Sequence, residues 1–292
     1  MIFSQYNKMN DDKSYYEICS RSHSYKAIVL EGEGMTRIHF GGTKKCVFID
    51  VYDDHDVGHL DAVGHSPRCN MNGNLPRRDG TIDMVKSAIL FMFKKFSTQE
   101  SISLKDASNI ICNNDKRVSL LHFYIAIYGK SWYQKYFEFK PEVLEHQEVL
   151  RRANRAMRRP IQESFDDFFQ KNVEAAKLKR DIKQTIREVL EPIHKEIVEQ
   201  KGSYRDFFLA IKDRHDCVVF YRWLRYYINS LCDLPFQEMF WILHKNDIPD
   251  TWKNIQIRRV RPFVFDMSGG DILRPDYHMP LGKSRVTHDI LT

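Results

Sequence analysis

Residues 26–52 read KAIVLEGEGMTRIHFGGTKKCVFIDVY. Three β-branched, apolar runs, Lys26–Leu30, Met35–Phe40 and Cys46–Tyr52, are separated by glycine-bearing turns at Glu31–Gly34 and Gly41–Lys45. Strands need such runs and tight turns need such glycines. Connections this short join antiparallel neighbours, so the stretch predicts a meander.

Further on, Leu75–Leu90 reads LPRRDGTIDMVKSAIL. A polar, arginine-rich turn runs into a helix predicted over Gly80–Phe96, with Ile82, Val85, Ala88, Ile89, Met92 and Phe93 on one face. Another helix, Val118–Tyr128, ends at Gly129. From Glu142 the chain reads as helical. Glu142–Arg158 stops at Pro160, and residues 161–200 form a long amphipathic stretch interrupted at Pro192. Short helices dense in aromatics fill 203–255, more aromatics than that length can hide alone. Beyond Arg261 the periodicity ends, which predicts an extended tail. The expected fold is α+β: an N-terminal lead over 1–25, a mixed sheet with helices over 26–140, a helical region over 141–260 and an arm over 261–292.

The chain has 292 residues, 42% of them hydrophobic and 13% aromatic, enough for a real core. A net charge of +6 suits an anionic partner without requiring one. The six cysteines are scattered with no CxxC, so they read as buried thiols of an intracellular protein. No secretory signal opens the chain, and no apolar run reaches the length of a membrane span.

No catalytic constellation stands out: there is no GxSxG, Walker loop or dinucleotide fingerprint. Asp53, Asp54, His55, Asp56, His59, Asp61, His65 and Cys69 are dense in potential ligands, but they read as a polar strand-and-turn region, and no metal is expected. Arg77, Arg78, Gly80 and Thr81 stand where a helix start could hold phosphate. Arg151, Arg152, Arg155, Arg158 and Arg159 form a basic helix face that suits nucleic acid or an acidic protein, or is simply solvated. Glu142, Glu145 and Glu148 stand close enough upstream to pair with it.

The strand, loop and helix around Arg77 and Gly80 resemble the pyrophosphate loop of the N-acetyltransferase (GNAT) superfamily. Ile82 departs from that pattern, since a small residue is wanted there. Four phrases together, VGHSPRCN (63–70), GNLPRRDGTIDM (73–84), LKDASNIIC (104–112) and GKSWYQKYF (129–137), resemble a GNAT-like family of large nucleocytoplasmic DNA viruses of algae and amoebae. The resemblance covers roughly residues 26–140. It implies a GNAT-like fold and a virion protein made in the host cytoplasm. The implied role is a minor capsid component that contacts other capsid proteins, including the major capsid protein, through its helices and C-terminal arm. Two alternatives stand beside it. One is an acetyl-CoA-dependent transferase, with Arg77, Arg78, Gly80 and Thr81 holding the cofactor. The other is a nucleic-acid-binding or regulatory protein using the arginine face.

Overall fold

A computed structural model describes residues 12–231, 239–252, 254–265 and 278–280. The chain is mixed α/β, with a large, mostly antiparallel sheet and eight α-helices among the described residues. Its elements are β1 (Asp12–Cys19), β2 (Ser24–Gly32), β3 (Met35–Gly41), β4 (Lys45–Tyr52), β5 (Val57–Val63), α1 (Arg78–Lys95) and β6 (Ser101–Lys105). Then follow β7 (Asn109–Ile111), β8 (Arg117–Ser119), α2 (Leu120–Tyr128), α3 (Trp132–Phe137), β9 (Lys140–Pro141) and α4 (Leu144–Met157). The rest are α5 (Phe165–Phe169), α6 (Arg180–Glu199), α7 (Tyr204–Arg214), α8 (Trp223–Ser230), β10 (Phe240–His244), β11 (Gln256–Arg259) and β12 (His278–Pro280).

These divide into two units that do not follow sequence order. One takes the described parts of 1–105, 136–140 and 240–277; the other takes those of 106–135, 141–239 and 278–292. The boundaries expected at 25 and 260 therefore fall inside the first unit, while the one at 140 coincides with a change of unit. Pairing across the sheet, which sequence order does not reveal, recruits β1 from the expected lead, and β10 and β11 from the expected helical region.

The first unit is built on a sheet of order β11-β1-β2-β3-β4-β5-β6-β10-β9. The predicted meander is there as β2, β3 and β4, with pairs such as Val29 opposite Ile38 and Ile38 opposite Ile49. One pair is parallel, β5 with β6. A parallel pair needs a crossover, and α1 lies in that crossover. Alternation sends Tyr16, Ile18, Tyr25, Ala27, Val29, Ile38, Phe40, Val47 and Ile49 into the core. From α1, Met84, Val85, Ala88, Ile89, Phe91 and Met92 are buried too. Phe91 meets the Tyr16 ring at 5.2 Å and the Phe40 ring at 6.4 Å. Each large side chain so buried contributes about 1.5–3 kcal/mol.

The tail expected from Arg261 begins on the chain's own sheet. The Val260 amide donates to the Tyr15 carbonyl, Phe263 packs edge-on to Tyr15 at 5.2 Å, and Phe265 is buried. Further along, β12 pairs in parallel with β7. The remainder of the expected arm, 266–277 and 281–292, lies outside the described residues.

The second unit is helical around an aromatic core, beside a small sheet β12-β7-β8. Phe168 meets Phe207 at 5.5 Å and Trp223 at 5.7 Å, and Phe208 meets Tyr227 at 5.2 Å. The aromatics that looked surplus in sequence are thus mostly core; among the described residues, Tyr226 and Phe240 are the large aromatics that stay exposed. Helix α6 runs unbroken through Pro192, while the stretch before it breaks near Lys177, whose φ is 50°. The cysteines also differ from expectation. Cys46 is disulfide-bonded to Cys69 and Cys112 to Cys217, and Cys19 is free. Separations of 23 and 105 residues leave no local pattern, so only the fold brings the partners together.

Candidate functional site

The loops at one end of the first unit's sheet converge on the start of α1. The 64–77 loop is clamped there by several independent ties. The Cys46–Cys69 disulfide holds its middle. The Thr43 and Lys44 amides donate to the Arg68 carbonyl at 2.9 and 3.1 Å, and the Met71 amide donates to the Ser24 carbonyl at 2.9 Å. Ser66 caps a short turn over Pro67–Cys69, accepting from the Arg68 amide. Asn70 exchanges bonds with Asn74 through its amide nitrogen and oxygen.

Of the four residues expected to hold phosphate, Arg77 is exposed and sits at the N-cap position of α1. Arg78 lies 5.7 Å over the Tyr136 ring. Gly80 is buried, and a Cβ there would come within 2.8 Å of the Leu75 and Pro76 side chains. Thr81 is fully buried. Its hydroxyl donates to the Arg77 carbonyl and faces His65 Nδ1 at 2.8 Å. With the hydroxyl proton committed to Arg77, His65 donates through Nδ1. Burial first, then nearby Arg77, depresses the His65 pKa to about 4, so the ring is neutral near pH 7. The Thr81 side chain is thus engaged by the chain's own groups, while Arg77 gives α1 no side-chain cap.

One residue that sequence reasoning passed over organises the neighbouring turn. Asp83 Oδ2 accepts from Ser20 Oγ at 2.7 Å and Tyr25 OH at 2.7 Å, and lies 3.0 Å from His23 Nδ1. Burial, then Asp83, pushes the Tyr25 phenol far up, so it stays a donor. Serine and histidine side chains both meet the carboxylate, and the Ser20 hydroxyl bonds the His23 backbone rather than its ring, so this is not a nucleophile relay, which needs the imidazole on the serine. The cluster ties the β1–β2 hairpin down onto α1. No local motif marks it, because Asp83 stands 58 to 63 residues from its partners.

The acidic, histidine-bearing segment is dispersed. His55 pairs with Asp54 at 3.6 Å, His59 meets Ser103 at 3.2 Å, and Cys69 is in a disulfide. Asp61 approaches Arg37 at 3.8 Å, while Asp50 grips Arg37 through two bonds of 2.5 Å. Among the described residues, the one group of three possible metal ligands is Cys112, Asp216 and Cys217, and its two sulfurs are bonded to each other.

The arginine face lies on α4 and its C-terminal end. Glu148 pairs with Arg151 at 2.8 Å and Arg155 at 2.9 Å, while Arg152, Arg158 and Arg159 are exposed. No family model, no curated protein and no solved structure matches this chain.

Proposed function

We propose that this chain is a structural protein of a virus particle, a minor capsid component that works by contacting other capsid proteins, the major capsid protein among them. The observation that supports a binding role over acyl transfer is the side-chain packing around Gly80 and Thr81 at the start of α1. A pyrophosphate loop needs backbone that the anion can approach closely. Here Gly80 is packed under Leu75 and Pro76, and the Thr81 hydroxyl is taken by Arg77 and His65. On this reading the loop is a rigid clamp, the chain has no catalytic residues, Arg77 is a surface group and Arg78 packs on Tyr136.

The second reading, an acetyl-CoA-dependent transferase, is favoured by the parallel β5–α1–β6 unit. Open α/β sheets bind ligands where such strands end and the helix begins.

Two measurements decide between them. Mass spectrometry of purified particles is expected to find the chain, with cleavage sites that are open in the isolated protein and protected in the particle. Its absence from particles ends the structural reading. Acetyl-CoA is expected to leave the melting temperature unchanged. A rise of several degrees at saturating ligand would favour the transferase.

A further inference from the structure

The arginines of α4 belong to a larger basic surface within the second unit. A bridge between Pro160 and Ser203, with the Ile161 amide donating to the Gly202 carbonyl at 3.1 Å, sets the end of α4 beside the start of α7. Arg205 thereby comes next to Asn154, and its Nη2 donates to Asn154 Oδ1 at 2.6 Å. Asn154 in turn donates to the carbonyls of Gly129 and Leu150 at 2.8 and 3.0 Å. Gly129 has φ 70°, and a Cβ on it would lie 2.1 Å from Asn154 Oδ1 and 2.8 Å from Arg205 Nη2. The glycine therefore lets the α2 end, Asn154 and Arg205 meet, and it brings exposed Lys130 to the same place.

The nearby acids are already engaged. Glu148 holds Arg151 and Arg155, Asp206 holds the Ser203 amide and hydroxyl, and Glu163 holds Tyr204. Among the described residues, no carboxylate lies within 4.0 Å of Lys130, Arg158, Arg159 or Arg205. Arg205 Nε is buried without a partner. Burial and the like charge of Arg158 pull the Arg205 pKa down, opposed by Asp206. Cations at helix C-termini gain from the helix dipole, by roughly 0.3–1 kcal/mol each. That gain does not account for guanidinium groups set side by side with no carboxylate between them.

We propose that Lys130, Arg151, Arg155, Arg158, Arg159 and Arg205 form a surface that binds the phosphate backbone of nucleic acid. From Arg151 to Arg159 the helix end spans about 12 Å. Duplex DNA carries about seven charges over that length. All six are cationic side chains that suit phosphate oxygens, so the contact is to backbone and independent of sequence.

The test uses the full chain and a labelled random duplex of about 20 base pairs, titrated by fluorescence anisotropy between about 50 and 200 mM salt. Binding is expected to weaken steeply with salt. The double variant Arg158→Glu/Arg159→Glu is expected to lower affinity at least about tenfold and reduce the salt slope by about two. Lys130→Glu is expected to reduce the slope by about one. Both change exposed side chains, and an unchanged melting temperature checks that they fold. Three results overturn the proposal: no binding at the lowest salt, binding that neither variant alters, or poly-glutamate competing as well as DNA, which would assign the surface to an acidic protein.

Discussion

Asp83 shows how much one carboxylate oxygen can hold. With the acceptor removed, the fully buried Tyr25 hydroxyl would be left unsatisfied, at a cost of about 1–3 kcal/mol. Asp83→Ala should lower the urea midpoint accordingly. Adding Tyr25→Phe should recover part of the loss, so the double variant costs less than the sum of the singles. Asp106 is the opposite case. Its Oδ1 accepts from the Ser108 amide at 3.1 Å and from the Ser108 hydroxyl, but Oδ2 is buried without a partner. Burial outweighs the Ser108 bonds and raises its pKa to about 6. The folded state thus holds this proton more tightly than the unfolded chain, and the group costs stability as pH rises from about 4 through 6. Asp106→Asn should therefore stabilise the protein at pH 7, on the order of 2 kcal/mol, and gain nothing near pH 4. Equal effects at both pH values in urea melts would contradict the buried, unpaired oxygen.

At the scale of elements, the meander was legible because three apolar runs with glycine turns have one economical solution. Helix α1 was legible from its apolar period, although it begins at Arg78 rather than Gly80. Strand β1 was not: DKSYYEIC carries the alternation of a half-buried strand, but it stands inside what looked like a polar lead. Ser203 caps α7 by accepting from the Asp206 amide, and Gly129 takes the left-handed C-cap of α2. The disulfides bind elements together at very different ranges. Cys112–Cys217 closes a far longer loop than Cys46–Cys69, so by loop entropy its removal should cost more. Losses of about 4–5 and 3 kcal/mol are expected for Cys112→Ser/Cys217→Ser and Cys46→Ser/Cys69→Ser. Equal losses in denaturant melts would show that native-state contacts, not loop closure, set these values.

For the described residues as a whole, burial holds the pKa of five histidines, His39, His65, His122, His194 and His215, below the usual value, which favours the neutral form. Burial lowers His39 to about 3, His65 to about 4 and His122 to about 4. His122 is closed in by Ser119 Oγ at 2.7 Å and Asn229 Oδ1 at 3.1 Å. The unfolded chain binds these protons near pH 6.5 and the folded one does not. Stability is therefore complete above about pH 6.5 and falls as pH drops toward 4. Asp106 works against this trend over part of the same window. His122→Gln should flatten the acid limb by on the order of 2 kcal/mol between pH 7 and 4, read from urea melts across that range. A limb that keeps its slope would mean His122 is not the buried neutral group that the geometry describes.

The sequence by itself determined the local matters: which runs become strands and helices, where caps and turns fall, and that α4 carries an arginine stripe beside Glu148. Each is decided by side chains a few residues apart, so periodicity and turn chemistry suffice. Tertiary structure alone decided which strands flank the meander, that 240–265 returns to the first sheet, and which cysteines pair. It also decided that Gly80 and Thr81 are buried at the start of α1, that Asp83 gathers Ser20, His23 and Tyr25, and that Arg205 joins the basic face. These contacts join residues far apart in the chain. What places them is the shared burial of one core in each unit, which no local pattern encodes.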